Sequence, residues 1–268
     1  MQLRDVCLAD AAELTLMQLK NKCQSIVSTT AVASARDGYL AWVEEAERHF
    51  RSLFANDVMA DGLYTAAYWE IRRIIQVTPR PYPLIHGEVD NQVRRIDAAL
   101  VQIARIREFA GHPGAIVVVD TSAFIQGEIF TDFAWPTKMG IKGPVRLIAP
   151  IIVVEELDKL KDTGNTTAGD KARKVLKRLR EKHRAAGQIF PAPVRDKVTV
   201  EILLDDEGHQ RLPIPDDEII RQAIKIQQMV TGEVTLACVD ASMEFRALAK
   251  GLKVFEVSPS PRAVQQTT

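Results

Sequence analysis

This sequence lacks long apolar runs and a framework of cysteines. No apolar stretch approaches the roughly 20 residues that a membrane helix needs, and residues 1–16 lack the apolar core of a signal peptide. The three cysteines, Cys7, Cys23 and Cys238, are too few and too scattered for a disulfide framework or a zinc site. We therefore expect a cytoplasmic protein, in a reducing compartment and with no membrane partner.

A dominant charge is also missing, because 35 basic residues balance 35 acidic residues. The contents of 46% hydrophobic and 26% charged residues are ordinary for a folded, soluble chain. The five histidines show no spacing that is typical of metal ligands, and we assign them no role. Any function that depends on charge must therefore come from local clusters.

The 268 residues separate into two regions with different patterns. Residues 1–112 predict an all-helical N-terminal domain of unknown role, with a helix break at the proline-rich segment 78–87 and a weaker break signal at Gly38. Residues 113–258 alternate apolar runs with helical stretches, and residues 259–268 predict a disordered tail. The chain therefore has two predicted domains.

One apolar stripe runs along the last helical segment of the first region. Its members recur at spacings of three and four: Val89, Val93, Ile96, Leu100, Ile103 and Ile106. The stripe has two explanations at this stage. It packs within a helical bundle or on the second domain, or it forms a homodimer interface through the N-terminal helices.

Four apolar runs in the second region predict strands, namely AIVVV, VRLIA, VTLACV and LKVFEV. Helical patterns separate them, and Gly251 before the last run is typical of a helix end. Strands that alternate with helices predict an α/β domain with a central parallel sheet and helices on both faces.

Acidic residues occur where several of these elements meet one edge of the predicted sheet. Asp120 follows AIVVV and Asp240 follows VTLACV, and the ligand crevice of a parallel sheet lies at such carboxyl ends. Acids also occur near the start of two helices. These are Glu155 and Glu156 after Pro150, and Asp216 and Asp217 after Pro215.

Each of these acids also has a purely structural explanation. An aspartate after a strand often caps the next helix, and acids in a first helical turn interact favourably with the helix dipole. Acids from four elements crowded into one cleft, however, repel one another unless cations lie between them. Mg²⁺ or Mn²⁺, which carboxylate oxygens and water coordinate, fits such a cluster.

Helical periodicity selects one acid from each adjacent pair. At about 100° per residue, Glu156 lies on the flank of the apolar face of its helix, whereas Glu155 faces almost directly away. By the same measure, Asp216 lies with the apolar residues of its helix and Asp217 is turned outward. We therefore expect Glu156 and Asp216 to point into the site.

Four short segments carry a resemblance to a known family. They are VVVDTSAFI, VVEELDKLK, DDEIIRQAI and LACVDASMEFRALAKGLKV, in the order and with the approximate spacing of PIN-domain nucleases. Over about residues 115–257, the chain most resembles the PIN domains that contain an EELDKLK segment. The resemblance implies a PIN-like three-layer α/β fold with a central parallel sheet.

The resemblance also implies a function, that of a metal-dependent endoribonuclease that hydrolyses RNA phosphodiester bonds. Ser122 matches a small hydroxyl position, where it would bind a ligand carboxylate or a metal-bound water, or cap a helix. Four acids would be catalytic and would hold one or two Mg²⁺ or Mn²⁺ ions. They are Asp120, Glu156, Asp216 and Asp240.

The predicted helix in GDKARKVLKRLREKHRAAG is strongly basic, with only Asp170 and Glu181 as acids. Such a helix attracts a phosphate backbone, although a merely solvated face has the same composition. Because the resemblance places Arg173 near the active-site edge, we expect Arg173 and Lys174 to bind RNA, single-stranded in preference to paired. The acidic segment 201–210 predicts a hairpin-like insert without a basic partner, away from the nucleic acid.

Two other functions are compatible with the sequence. VVVDTSAF resembles the start of haloacid-dehalogenase domains, in which an aspartate like Asp120 is the nucleophile, but that chemistry needs an acid where Ser122 stands. The alternative from another class is a non-catalytic nucleic-acid-binding or scaffolding module on a PIN-like fold. The presence of all four acids favours the nuclease.

Overall fold

The structure, a computed structural model, describes residues 3–4, 9–29, 31–74, 80–126, 129–163, 166–186, 191–206 and 208–258. The chain divides into two compact units between His112 and Pro113. The predicted disordered tail at 259–268 lies outside the described residues. Within the described ranges, no helix is both long enough and apolar enough to cross a membrane.

The first unit is helical, as predicted, and its core contains the aromatic side chains Tyr39, Trp42 and Phe50. An isolated antiparallel bridge joins Leu3 to Phe54. The elements of this unit are α1 (Ala9–Ser25), a short 3₁₀ helix (Ile26–Ser28), α2 (Val32–Leu53), α3 (Val58–Asp61), α4 (Ala66–Arg72) and α5 (Pro81–Gly111).

The two predicted helix breaks of this unit are only partly correct. Gly38 lies inside the continuous helix α2, because a single glycine costs only about 1 kcal/mol there and packing outweighs it. Pro81 and Pro83 lie in the first turn of α5, where a backbone N–H would have no helical partner. Pro81 and Pro83 therefore begin a helix, and Arg80 before them has a left-handed φ of 48°. Residues 78 and 79 of the predicted break lie outside the described residues.

The apolar stripe of α5 lies inside the helical unit. Val89, Ile96, Ile103 and Ile106 are buried, and α5 contacts α1, α2 and α4. The stripe thus packs within its own bundle, as the first of the two explanations has it. It no longer supplies a reason to propose a homodimer.

The second unit has the predicted α/β fold with a central, mostly parallel sheet. Its six strands lie in the order β3-β4-β2-β1-β5-β6, and only β3 and β4 pair in antiparallel fashion. The elements are β1 (Ala115–Val119), α6 (Thr121–Gln126), α7 (Trp135–Lys138), β2 (Val145–Pro150), α8 (Ile151–Lys161), α9 (Thr167–Ala186), β3 (Ala192–Arg195), β4 (Val198–Leu203), α10 (Pro215–Gln227), β5 (Val234–Cys238), α11 (Ala241–Ala249) and β6 (Lys253–Glu256).

Strands β3 and β4 lie outside the predicted apolar runs. They are joined by a tight turn in which Lys197 has a φ of 56°. A charged residue, Glu201, is buried in β4 because Arg146 of β2 pairs with it at two points, Nε–Oε1 at 2.7 Å and Nη2–Oε2 at 3.0 Å. The first residues of segment 201–210 thus belong to the sheet, and the predicted hairpin-like insert is wrong there.

The acids that follow β4 also have basic partners, which contradicts the expectation that they have none. Asp205 accepts a hydrogen bond from Arg211 at 2.6 Å, and Asp206 accepts one from Lys225 at 2.6 Å. The partners lie 6 and 19 residues away in sequence, respectively. Local composition therefore shows the acidic charge of the segment but not its neutralisation.

Candidate active site

The carboxyl ends of β1 and β5 form the centre of the candidate site. The two strands are parallel neighbours with Val119 opposite Ala237, and the N–H of Asp120 continues the ladder by donating to Ala237 O at 3.0 Å. The chain passes from β1 to β2 on one side, whereas β5 and β6 lie on the other side. Such a reversal of strand order opens a crevice at the carboxyl edge of the sheet.

The other acids reach the same edge through their helices. Helix α8, which contains Glu156, directly follows the carboxyl end of β2. Helix α10 precedes β5, so its first turn, with Asp216, begins at the edge where β5 ends. Asp240 follows β5 itself.

Asp120 is the most buried of the four acids, with 5% of its surface exposed. One carboxylate oxygen accepts hydrogen bonds from the Ser122 hydroxyl and from the Ser122 N–H, the latter at 3.1 Å. The pKa of Asp120 is raised to about 6, chiefly by burial and also by the negative charge of Asp216, while the hydrogen bonds oppose the shift. The carboxylate is thus both desolvated and close enough to Asp216 to be repelled by it.

The two glutamates of α8 point to different neighbours. The hydroxyl of Thr121, which follows Asp120, donates to Glu156 Oε2. Glu155 is held by the Arg211 guanidinium, with Nη2–Oε1 at 2.8 Å, and this hydrogen bonding lowers the pKa of Glu155. Glu156 therefore contacts the residue that follows Asp120, and Glu155 faces the segment after β4.

The two aspartates of α10 share a cation from α11. Arg246 Nη1 lies 3.2 Å from Asp217 Oδ1 and 3.9 Å from Asp216 Oδ2. Both aspartates are half-buried, but Asp216 is the one whose charge acts on Asp120. Asp216 therefore interacts electrostatically both with the buried Asp120 carboxylate and with Arg246.

Asp240 is exposed and caps α11, accepting a hydrogen bond from Met243 N at 3.3 Å. It also lies near the buried thiol of Cys238. Burial raises the pKa of Cys238 to about 12, and the charges of Asp120, Glu244 and Asp240 add to that shift. Glu244 is thus an acid of this neighbourhood that the sequence analysis does not name, although its spacing of four residues from Asp240 puts both on one helical face.

Ser122 joins the ends of the two central strands. Its hydroxyl donates to Asp120, and the same oxygen accepts a hydrogen bond from Val239 N at 3.2 Å. The side chain therefore orients the Asp120 carboxylate, and Asp120 in turn accepts the Ser122 N–H at the start of α6.

The donor chemistry of this edge fits a hard divalent cation. Carboxylate oxygens are the ligands that Mg²⁺ and Mn²⁺ prefer. The raised pKa of Asp120 shows that negative charge is unfavourable there, and a cation beside it would relieve both causes of the shift. Asp120, Glu156, Asp216 and Asp240 could hold such an ion.

A different group of donors lies closest together in the part of the chain that the structure describes. Asp205, His209 and Glu218 have ligand atoms that all lie within 4.8 Å of one another, and Glu218 is fully buried. Two guanidinium groups already reach this group, however, with Arg211 Nε 2.6 Å from Asp205 and Arg221 Nη2 2.9 Å from His209 Nε2.

We interpret this second group as an ion-pair network, because two guanidinium charges oppose a metal ion at the same place. Glu218 also accepts hydrogen bonds from Leu212 N at 2.9 Å and from Gln222 Nε2 at 2.8 Å, which tie the segment after β4 to α10. The contact of His209 with Glu218, at 2.8 Å, is missed at the sequence level because the two are nine residues apart with no regular spacing.

The basic helix α9 presents its charges on more than one face. Arg173 donates to the main-chain carbonyl of Lys161, which ends α8, and to Asp170 at 2.6 Å. Lys174 is exposed one residue further around the helix. The two predicted RNA contacts thus lie on neighbouring but different sides of α9.

Comparison with known proteins identifies the family. The family model of the PIN domain matches residues 117–258, which is more than half of the chain. The protein therefore belongs to the PIN-domain family. PIN domains are generally nucleases, typically use divalent metals and commonly bind nucleic acids. No curated protein sequence matches the chain.

Among solved structures, the chain is similar to a domain of a functionally unknown protein from Methanocaldococcus jannaschii DSM 2661. The two are 17% identical, with a TM-score of 0.36. The similarity covers 58% of this chain and 99% of that chain.

Proposed function

We propose that this protein is a cytoplasmic, metal-dependent endoribonuclease that hydrolyses RNA phosphodiester bonds at the carboxyl edge of its sheet. The observation that most supports the proposal is the buried Asp120 at the crevice between β1 and β5. Its pKa is raised to about 6 by burial and by the neighbouring charge of Asp216. An unfavourable buried carboxylate at the ligand-binding edge of a PIN domain is expected where a cation binds.

In this proposal, Asp120, Glu156, Asp216 and Asp240 hold Mg²⁺ or Mn²⁺. A bound divalent ion supplies a water activated near neutral pH and stabilises negative charge on the phosphoryl oxygens. The protein's own contribution is to hold the carboxylates in position. The hydroxyl of Ser122 orients Asp120, and that of Thr121 orients Glu156.

The substrate in this proposal is RNA, in single strands in preference to duplexes. Arg173 and Lys174 bind its phosphates from α9. Both are exposed on a helix with a large excess of basic residues, which supports a sequence-independent attraction for phosphate.

Cleavage of a labelled oligoribonucleotide by the Asp120→Asn variant, with manganese present, tests the proposal. We expect cleavage to be abolished while the circular dichroism spectrum remains that of the parent, because the substitution preserves shape and removes one negative donor. Glu155→Gln is the matched control, since Glu155 is bound to Arg211. Unchanged cleavage by Asp120→Asn would exclude the proposed nuclease function.

One observation favours the second candidate, a non-catalytic nucleic-acid-binding or scaffolding module. Arg246 lies within 3.9 Å of both Asp216 and Asp217 and so neutralises part of the charge that would attract a metal ion. Calorimetric titration with Mn²⁺ separates the two candidates when it is combined with the cleavage assay. RNA binding without metal binding or cleavage would identify the module.

A further inference from the structure

A pocket of about 340 Å³ lies between α8 and α9 in the second unit. Its lining contains Leu176 and a single acid, Glu181. The other five lining side chains are basic: Lys161, Arg173, Lys177, Arg180 and Arg184. A concave site with five cations has the composition of an anion-binding site.

The helical repeat of α9 explains why these cations meet. At about 100° per residue, Lys177, Arg180 and Arg184 lie within about 40° of the direction of Arg173, on the side that lines the pocket. Lys161 joins them from the last turn of α8. Other basic residues of α9, such as Lys171 and Arg178, lie about 140° to 160° away by the same measure and do not line the pocket.

The acids near the pocket neutralise these cations only in part. Asp158 lies 2.6 Å from Lys161 Nζ but 3.7 Å from Arg180 Nη2, and Glu181 lies 4.0 Å from Lys177 Nζ. Among the residues that the structure describes, Arg184 forms no ion pair. The pairs of Arg180 and Lys177 are long and solvent-exposed and contribute little, so these two side chains and Arg184 are available to a ligand.

We propose that this pocket binds a phosphate group, held by Lys177, Arg180 and Arg184 with Lys161 at its rim. Guanidinium groups donate paired hydrogen bonds to phosphate oxygens, and lysine supplies a point charge. A free phosphate and a phosphate of a nucleic-acid strand share this chemistry.

The source of the bound phosphate rests on the proposed function, because we expect it to belong to the RNA that is cleaved at the acidic edge of the sheet. Lys161 and Glu156 lie on the same helix, five residues and therefore about 7.5 Å of helical rise apart. One RNA strand could thus reach both the phosphate pocket and the acidic edge of the sheet. The phosphate is either one of the strand backbone or the terminal 5′-phosphate.

Inorganic phosphate alone provides the first test, read as the thermal midpoint of unfolding in the presence of a chelator. Phosphate should raise the midpoint relative to chloride at equal ionic strength, because a ligand of the folded state stabilises it. The rise should be largely lost in Lys177→Ala/Arg184→Ala. It should persist in Lys171→Ala/Arg178→Ala, which removes one lysine and one arginine from the same helix outside the pocket. No rise in the parent, or an equal rise in both double variants, would overturn the proposal.

Binding of one oligoribonucleotide with either a 5′-phosphate or a 5′-hydroxyl identifies the source. In fluorescence anisotropy without divalent ions, Lys177→Ala/Arg184→Ala should lose about tenfold in affinity. A loss confined to the 5′-phosphorylated strand supports a terminal phosphate, and an equal loss for both strands supports a backbone phosphate. If neither strand lost affinity, or if Lys171→Ala/Arg178→Ala lost as much, the proposal that the pocket binds a phosphate of the RNA would be wrong. Neither test measures cleavage. Failure of the protein to cut RNA would therefore contradict the proposed nuclease function without contradicting phosphate binding in the pocket.

Discussion

At the scale of single residues, Asp120 couples folding to pH. Its pKa in the folded chain is about 6, against an ordinary value of 3.8. The folded state therefore holds more protons than the unfolded state between these two pH values, so stability falls as pH rises through this window. Above it, the ionised carboxylate costs at most about 3 kcal/mol.

The Asp120→Asn variant should therefore be more stable than the parent at pH 7.5. We expect a gain of about 1 to 3 kcal/mol in the free energy of unfolding, reduced because the amide accepts weaker hydrogen bonds from Ser122. At pH 4.5 most of the gain should disappear, since the carboxylate of the parent is then largely protonated in the folded state. Urea denaturation with a chelator at both pH values measures this. A gain that is the same at both would show that burial does not perturb Asp120.

The paired acids of α8 and α10 yield a prediction about orientation. Glu156→Gln and Asp216→Asn should each reduce turnover by at least about tenfold, because these acids lie next to Thr121 and act on Asp120, respectively. The variants of the neighbouring acids, Glu155→Gln and Asp217→Asn, should keep most of the turnover of the parent.

Steady-state cleavage with Mn²⁺ measures all four variants, and thermal unfolding confirms that each is folded. The reverse pattern, with the outward acids essential, would mean that the assignment of the site is wrong.

At the scale of elements, the buried pair between β2 and β4 stabilises the sheet. Arg146 and Glu201 are both almost completely buried and form two parallel hydrogen bonds. Glu201→Ala should cost about 3 to 5 kcal/mol in the free energy of unfolding, because it leaves a guanidinium buried without its carboxylate. Urea denaturation measures the loss.

A matched control for this prediction is the exposed pair of Glu233 and Lys253, at 3.1 Å. Glu233→Ala should change stability by less than about 1 kcal/mol, since solvent screens an exposed pair. The double variant Arg146→Met/Glu201→Leu should recover most of the loss of Glu201→Ala, because it leaves no charge unpaired. Equal effects of Glu201→Ala and Glu233→Ala would show that burial does not matter here.

At the scale of the whole molecule, net charge does not attract RNA, because basic and acidic residues are equal in number. Attraction must come from local charge, and α9 has the clearest excess. Arg173→Ala/Lys174→Ala should weaken the binding of every RNA to a similar degree. The slope of log affinity against log salt should fall by about 1.4, because each of two phosphate contacts on a single strand contributes about 0.7.

Fluorescence anisotropy at several salt concentrations measures this slope. Arg173 also donates to the end of α8, so the thermal midpoint must be followed in parallel. Lys174→Ala alone, on an exposed side chain, separates the charge effect from that structural contact. Equal slopes for the double variant and the parent would indicate that α9 is only a solvated face.

Much of the α/β unit could be predicted from local pattern. Apolar runs of five or six residues, separated by helical periodicity, identify β1, β2, β5 and β6, and Gly251, with a φ of 77°, confirms the predicted helix end. Helical phase alone distinguishes Glu156 from Glu155, and the two do have different partners. These predictions depend only on which side of one element is apolar, and that information lies within a few consecutive residues.

Only the tertiary structure decided which distant residues meet. A charge in β4 is tolerable because Arg146, 55 residues earlier, neutralises it. His209 has a partner because the segment after β4 packs on α10, and the cations of α9 form a pocket because α8 lies beside them. Burial of a polar group depends on the partner that packing supplies from elsewhere in the chain, whereas local sequence specifies only the preference of each element for an apolar or a polar environment. For this reason four of the six strands could be predicted from the sequence, whereas β3, β4, the ion-pair networks and the pocket could not.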